Sequence, residues 1–233
     1  MLVAVCFSQY AAHAQADKLG TWNIVNVVYK PFSHFAFFTD FQVRAQTIEN
    51  NFYYTENNIG AIYSIPKKIA VVVAAGRHRI FDYPGNFKNL QAKEFRLWEQ
   101  VTFNTYFDPL RIEHRYRIEQ RWVDGEYRNR FRYRINPVIP INSNMLAPHV
   151  VYATASEEVF LSDKASFFEQ NQVFAGMGYY FSTVATLQAG VVYLYNYHSS
   201  GEGSGKKFIQ TSLLLSFGKG AMSHISKHPS LIN

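Results

Sequence analysis

The sequence predicts an all-β protein, an up-and-down antiparallel transmembrane β-barrel of about 10–12 strands. Three observations lead to this prediction. Segments that alternate apolar and polar residues recur along the chain, and most span about 10–13 residues, against about 5–6 in an average soluble strand. Aromatic residues make up 17% of the chain, with 20 Phe and 16 Tyr, which is typical of strands with interfacial aromatic girdles. No apolar run approaches the roughly 18 residues that a membrane-spanning helix needs.

The predicted strands follow one another between turn-forming residues. Most of them alternate with a period of two, which places apolar and polar side chains on opposite faces. Pro, Gly, Asn and Asp between them indicate reversals of the chain. In order, we expect a Val- and Ile-rich strand at 22–29, an alternating Phe/polar strand at 34–46, a strand interrupted by Asn and Gly at 53–65, a run of small apolar residues at 69–79, alternating strands at 93–105, 110–122 and 127–136, and further strands at 148–160, 169–181, 183–196 and 207–217.

The strand count and the connections refine the barrel prediction. The pattern contains eleven candidate strands, but single-chain bacterial barrels have an even number, so a count of ten or twelve is expected. Glu99 falls on the apolar side of its strand, and a β-bulge there would restore the alternation. Short and long connections are expected to alternate, as short periplasmic turns and long outer loops do. The short ones lie near 66, 108, 143 and 182, and the longer ones near 49, 85, 162 and 201, with a short exception at 125.

The segment 110–136 has the most regular pattern in the chain. Arg and Glu occupy alternate positions, and Asp124-Gly125 predicts a tight turn between two antiparallel strands. In an outer-membrane barrel the apolar face of such a hairpin contacts lipid and the charged face lines the lumen. The candidate lumen-lining residues on this hairpin and its neighbours are Arg96, Arg111, Glu113, Arg115, Arg117, Glu119, Arg121, Arg128, Arg130, Arg132, Arg134 and Glu158.

Two roles are open for the charged face. Side chains on adjacent strands lie about 5 Å apart, so Arg and Glu can pair across strands and hold a narrow barrel together. A barrel of this size can also be filled by its own side chains. The alternative is a lumen that attracts small anions, because Arg outnumbers the available carboxylates. Structural pairing is the favoured interpretation, and the carboxylates considered are Glu94, Glu113, Glu119, Glu157 and Glu158.

The chain ends predict export. Residues 1–14 combine a short apolar stretch with the small-x-small pattern Ala12-His13-Ala14, which predicts a signal peptide cleaved after Ala14. The remaining predicted regions are an N-terminal lead at 15–21, the barrel at 22–217 and a polar tail at 218–233. Cys6, the only cysteine, lies in the signal segment, so a disulfide framework is not expected.

Composition and spacing argue against several classes of function. The net charge of +6 sits mainly on alternate positions of one hairpin, and this pattern does not favour nucleic-acid binding. The histidines lack metal-ligand spacing, so no metal and no cofactor are predicted. No motif places a nucleophile beside a histidine, and an enzyme is not favoured. The histidines considered for catalysis are His78, His114, His149 and His198.

Several stretches resemble the bacterial DUF2490 family. They are the arginine runs 115–121 and 128–134, the segment 94–100 before them, and two later segments, 157–160 and 169–179. The resemblance covers most of the mature chain and implies an outer-membrane barrel without an established activity. Cleavage between Ala14 and Gln15 is similar to a Bacteroidetes export signal.

The sequence therefore predicts an outer-membrane β-barrel of undetermined role, structural or transport-related, with an Arg/Glu-lined interior. Its expected partners are outer-membrane lipid, the barrel assembly machinery during insertion and a small anionic solute. One alternative is an outer-membrane enzyme that acts on lipid. Another is a soluble lipocalin-like barrel, in which the aromatic residues would surround a ligand.

Overall fold

Eleven strands form one closed barrel. A computed structural model describes residues 19–65, 69–164, 167–198, 201 and 203–218. The predicted signal peptide, most of the N-terminal lead and all but the first residue of the tail lie outside these ranges. The strands are β1 (Gly20–Lys30), β2 (Phe35–Thr47), β3 (Asn50–Ile65), β4 (Ile69–Phe81), β5 (Leu90–Phe107), β6 (Leu110–Val123), β7 (Glu126–Pro140), β8 (Val151–Ser162), β9 (Phe168–Tyr180), β10 (Ala185–Tyr197) and β11 (Gly203–Gly218).

The prediction of an all-β barrel is confirmed, and each predicted strand overlaps one observed strand. The expectation of an even strand number is wrong, and so is that of wholly antiparallel pairing. Ten neighbouring pairs are antiparallel. The eleventh pair, β1 with β11, is parallel, from Gly20 opposite Phe208 to Lys30 opposite Gly218. Because an odd number of alternating strands leaves the first and last pointing the same way, only a parallel pair can close the barrel.

The β6–β7 hairpin closes with the predicted two-residue turn. Asp124 and Gly125 both have positive φ, 48° and 94°, which is the geometry of the turns that match the twist of a two-residue hairpin. Glycine suits the second position because it has no Cβ to clash in this conformation. The turn fixes the pairing from Val123 opposite Glu126 to Arg111 opposite Val138, so all the arginines of the hairpin point to one face.

The bulge expected at Glu99 does not form. β5 pairs continuously with both neighbours there, since Glu99 lies opposite Val73 on β4 and Ile118 on β6. Its carboxylate points outward and accepts a hydrogen bond from Gln120 Nε2 at 3.1 Å. A hydrogen-bonded partner on the outer face makes a break in the register unnecessary.

The predicted alternation of connection lengths is wrong at two places. The connection at 48–49 is as tight as the one at 124–125, and the connection at 141–150 is the longest of all. Asn142 signals a turn, but its side-chain oxygen accepts the backbone N–H of Val151 at 2.8 Å and so closes a wide loop. Turn-forming residues mark where a strand ends, but they do not say how far away the next strand begins.

Three clusters of apolar side chains pack other parts of the interior. One cluster lies under β1 to β5 and β11, where small residues on β4 leave room for Phe38 and Trp98, whose ring centroids are 5.9 Å apart. A second cluster gathers Trp22, Phe174 and Phe208 with aliphatic neighbours, and a third packs Tyr152 against Tyr180. Within the described residues, no helix is both long enough and apolar enough to cross a membrane.

Candidate functional site

The interior of the barrel is rich in arginine and glutamate along β5 to β8. Alternation turns the charged class of these strands inward, and the twelve candidate residues all have this orientation. Arg128 and Arg132 are half-buried. The other ten are buried: Arg96, Arg111, Glu113, Arg115, Arg117, Glu119, Arg121, Arg130, Arg134 and Glu158. We call these twelve residues, with Glu94 and Glu169, the arginine network.

Glu119 lies at the centre of the arginine network and is fully buried. Arg130 donates to its Oε2 through Nε at 2.8 Å, and Nη2 lies 2.6 Å from the same oxygen. Arg132 donates to Oε1 at 2.7 Å. Arg117 and Arg96 lie farther away, with nitrogen–oxygen distances of 3.6 and 3.9 Å. The negative charge of this one carboxylate is therefore shared among four guanidinium groups.

Glu158 connects two strands of the network. Its two oxygens accept bonds from Arg115 Nη2 at 2.7 and 2.8 Å, and Oε1 also accepts Arg132 Nε at 2.8 Å. Arg132 thus bridges Glu158 and Glu119. The planar guanidinium group, with five N–H donors, is suited to serving two carboxylates at once.

Two further carboxylates brace the part of the network nearest the β6–β7 turn. Glu94 accepts Arg96 Nε and Nη2 at 2.6 and 2.8 Å, and it also accepts Arg121. Arg121 and Arg130 both reach Glu169 on β9, at 2.9 and 3.4 Å. Carboxylates from four strands therefore hold the arginines of a single hairpin. Elsewhere in the network, Arg134 donates to Glu113 at 3.0 Å.

The register explains why these shared carboxylates are needed. Arg115 lies directly opposite Arg134, and Arg117 directly opposite Arg132. Like charges directly opposite each other on neighbouring strands are destabilising. Three carboxylates offset this repulsion. Glu113 and Glu119 on β6 accept bonds from arginines of β7. Glu158 on β8 accepts bonds from arginines of both β6 and β7.

A second polar group, which the sequence did not suggest, faces the network from β2 to β4. We call it the β2–β4 carboxylate group; it comprises Asp40, Tyr54, Glu56, Asn58 and His78, all buried. Asn58 Nδ2 donates to both oxygens of Asp40, at 3.0 and 3.1 Å, and to Glu56 at 2.7 Å. Tyr54 donates to Glu56 at 2.7 Å and lies 2.7 Å from His78 Nδ1.

Close packing at Gly76 makes room for this group. A Cβ on Gly76 would overlap Asn58 Oδ1, so only glycine fits opposite Asn58. The sequence placed Asp40 on the polar face of its strand, but the strand that carries Glu56 and Asn58 was expected to be interrupted by Asn and Gly. That Asn58 would bridge two carboxylates from adjacent strands was not visible in the sequence, because it depends on the register between β2 and β3.

A polar cavity of about 150 Å³ is lined by Tyr54 and Glu56 of the β2–β4 carboxylate group and by members of the arginine network. Glutamine and serine side chains from β8 to β11 complete its lining. Within the described residues, ten arginines and seven carboxylates point into the barrel, which leaves a surplus of positive charge beside the cavity. The charged residues that line the cavity are Arg44, Glu56, Arg96, Arg117, Arg130, Arg132, Arg134 and Glu158.

Side chains fill most of the rest of the interior. A continuous water-filled lumen would leave its lining accessible to water, yet Arg115 and Glu119 are 0% exposed. The three apolar clusters fill further parts of the interior. The described part of the interior is therefore a packed, charged core around this small chamber.

Glu157 does not belong to the interior. It was counted among the carboxylates available to the arginines, but it points outward, is exposed, and accepts a bond from Asn171 Nδ2 at 3.1 Å. Adjacent residues of a strand face opposite sides, so only Glu158 of this pair can reach the network.

The four histidines lie in different environments. His114 faces outward, with its ring 4.8 Å from Phe103 and Nδ1 2.9 Å from the Tyr133 hydroxyl. His149 lies 3.3 Å from the Tyr179 hydroxyl, and His78 belongs to the β2–β4 carboxylate group. No group of three potential metal ligands occurs within the described ranges.

One serine–histidine contact exists near the β10–β11 connection. His198 Nε2 lies 3.2 Å from Ser204 Oγ, and both residues are exposed. In the described part of the chain no carboxylate or amide orients the other nitrogen of His198. An arrangement that activates a serine has such a third group, so this pair does not by itself form a catalytic site.

Comparison with known proteins identifies the same family that the arginine runs resemble. Neither the curated proteins nor the solved structures yield a match. The family model described as "Protein of unknown function (DUF2490)" matches residues 19–204, from the start of β1 into β11. The chain therefore belongs to the DUF2490 family.

Proposed function

We propose that this protein is an outer-membrane β-barrel with a closed interior, in which the arginine network braces the wall and the central chamber holds a small anion. One observation carries the proposal: charged residues lie on the inner face of the barrel wall and apolar residues on its outer face. Charged residues are buried inside, while large apolar residues stay exposed outside, as at Phe37 (50%), Val73 (56%), Phe131 (44%) and Val191 (53%). Soluble proteins rarely expose contiguous apolar surface on this scale, whereas lipid covers it.

The strand lengths support the same location. The shortest strand has 11 residues and the longest 18. A tilted strand needs about 9–11 residues to cross the hydrocarbon core. Closure of the barrel by the β1–β11 pair also leaves no free sheet edge, which a bilayer would not tolerate.

The interior supports bracing and anion binding better than the alternatives. A lipocalin-like ligand site would be a larger, mostly apolar pocket of about 300–1,000 Å³. The chamber here is about 150 Å³ and lined largely by arginine, glutamate and glutamine. A chamber of this size, with a surplus of positive charge beside it, suits a small inorganic or carboxylate anion.

Fractionation and conductance test this proposal. Full-length protein, expressed with its own N-terminal segment, is expected in the outer-membrane fraction. On gels it is expected to migrate differently before and after heating. A soluble periplasmic pool would contradict the membrane assignment. In planar bilayers we expect no steady current from the wild type, because the network fills the lumen, and a large ohmic current would contradict the closed interior.

Anion binding needs its own measurement. Titration of the detergent-folded barrel with small anions is expected to raise its thermal unfolding temperature, since a ligand that binds only the folded state stabilises it. Chloride at matched ionic strength controls for screening. No difference between chloride and larger oxyanions would argue against a specific site.

The enzyme alternative has one contact in its support, the His198–Ser204 pair. Its test is the lipid profile of cells that carry Ser204→Ala in place of the wild type. An unchanged profile would remove this alternative without affecting the barrel proposal.

A further inference from the structure

Three basic side chains form a patch on the outer wall of the barrel. Arg77 and Arg79 are exposed residues of β4, and Lys93 is an exposed residue of β5. Arg79 lies directly opposite Lys93, and Arg77 lies opposite Phe95, one row farther from the strand ends. We call Arg77, Arg79 and Lys93 the basic patch.

The basic patch differs from the interior arginines because it has no acidic partner. Within the described residues, none of its three side chains forms an ion pair or a hydrogen bond, whereas most interior arginines contact a carboxylate. Asp124 lines the same depression, but its Oδ1 accepts the backbone N–H of Lys93 at 3.0 Å. Three adjacent cations on a predominantly apolar wall raise the free energy of that surface unless an anion neutralises them.

A row of aromatic rings lies next to the patch. Phe95, Trp122 and Tyr127 face outward on three successive strands, with ring centroids 5.7 and 5.2 Å apart. Phe95, Trp122 and the three cations line a surface depression of about 700 Å³, which Phe81 and Leu90 bound at the strand ends. His78, Glu94 and Asp124 also contribute to its lining. Beyond Arg77, the outward positions of β4 continue with Ala75 and Val73. The basic patch therefore lies beside aromatic rings and next to an apolar stretch of the outer wall.

The position on the barrel matches a membrane boundary. Among the described strand residues, four cations point outward: the basic patch and Lys207 on β11. All four lie at the end of the barrel that carries the β4–β5 and β10–β11 connections. Aromatic residues beside cations are typical of the interface between headgroups and acyl chains.

We propose that the basic patch binds the anionic phosphate headgroup of a membrane lipid, whose acyl chains lie along the apolar outer face of β4 and β5. This inference rests on the proposed membrane location. Arginine presents a fork of donors that matches phosphate oxygens, and lysine adds a point charge. A lipid fits better than free phosphate because the aromatic row would contact its glycerol and acyl groups.

The test compares lipid selectivity in bilayers. The full chain is reconstituted in phosphatidylcholine, and the motionally restricted fraction of spin-labelled phosphatidylglycerol is measured against that of spin-labelled phosphatidylcholine. The wild type is expected to prefer phosphatidylglycerol by about fivefold or more, since each basic residue near an anionic headgroup contributes about 1 kcal/mol. The variant R77Q/R79Q/K93Q is expected to lose most of this preference.

Two control variants separate the patch from general charge effects. Lys207→Gln removes an outward cation on another strand and is expected to keep the preference. R77K/R79K keeps the charge and is expected to retain a reduced preference, because lysine lacks the bidentate geometry. Equal selectivity of the wild type and R77Q/R79Q/K93Q would overturn the inference, as would an equal loss in K207Q.

Insertion is checked first, by flotation with vesicles and by heat-dependent gel migration. A wild type that does not insert contradicts the proposed membrane location. A wild type that inserts but shows no lipid preference contradicts the basic-patch inference alone. Displacement of the labelled lipid by millimolar inorganic phosphate, at matched ionic strength, would assign the site to the free anion and overturn the lipid assignment.

Discussion

The two faces of the β6–β7 hairpin share the same backbone but are in opposite environments. Inside, Arg117, Glu119 and Arg130 are buried; Arg130 bonds to Glu119, and Arg117 lies 3.6 Å from the same carboxylate. Outside, Ile118 and Phe131 are each 44% exposed and lie opposite each other on the two strands. Residues that are neighbours in the sequence are therefore expected to respond in opposite ways to a change in charge. Loss of a charge is harmful on the inner face, and gain of a charge is harmful on the outer face.

The largest effect is expected from Glu119→Ala. It leaves Arg130 and Arg132 without their shared carboxylate, and breaking a buried ion pair from one side costs about 3–5 kcal/mol. The measurement is unfolding of the vesicle-inserted barrel by urea. Glu99→Ala on the outer face of the adjacent strand is the matched control. Similar losses in the two variants would contradict the difference between the faces.

Phe131→Arg tests the outer face of the same hairpin. If Phe131 contacts lipid near the bilayer midplane, an arginine there costs about 2–4 kcal/mol of folding free energy. Unfolding in vesicles gives this value, and unfolding in detergent micelles, where water is closer, should give a smaller one. Equal tolerance of arginine in both media would argue against a lipid-facing position.

Arg132→Gln is expected to have a smaller effect, about 1.5–3 kcal/mol, the range for a lost hydrogen bond to a charged group. Arg132 bridges Glu119 and Glu158, but each of these carboxylates keeps another arginine, Arg130 or Arg115. Planar-bilayer recordings of the variant would show whether the network blocks the lumen through this bridge. A loss as large as that in E119A would mean that the bridge is central to the network.

Glu99→Leu should give the smallest effect and the opposite sign. Glu99 is an outward carboxylate in an apolar row, and among the residues that the structure describes it bonds to the Gln120 amide alone. Its replacement by leucine removes a charge from the outer surface, which lipid would cover in the proposed membrane location, so the stability in vesicles should be unchanged or higher by less than about 1 kcal/mol. A clear destabilisation would indicate that Glu99 contacts a protein partner at this surface.

Much of the fold was predictable because its strands are long and alternate regularly. The positions of β5, β6 and β10 follow from the period of two alone, and the Asp124-Gly125 turn defines the register of the hairpin. The connection at 141–150 was not predictable, because its length depends on where β8 begins to pair with β9. The β2–β4 carboxylate group was hidden for a similar reason, since Asp40 and Asn58 meet only through the pairing of β2 with β3.

The sequence by itself determined that this chain forms a barrel of long strands and that arginine and glutamate share one face of each strand. Both properties are local, because they depend on spacing along the chain and on the geometry of an extended backbone. The tertiary structure decided how the barrel closes, through the parallel pairing of β1 with β11. It also decided which carboxylate serves which arginine, and where unpaired cations remain on the outside. These are contacts between residues far apart in the chain, and the strand register that brings them together is set only when the whole sheet closes.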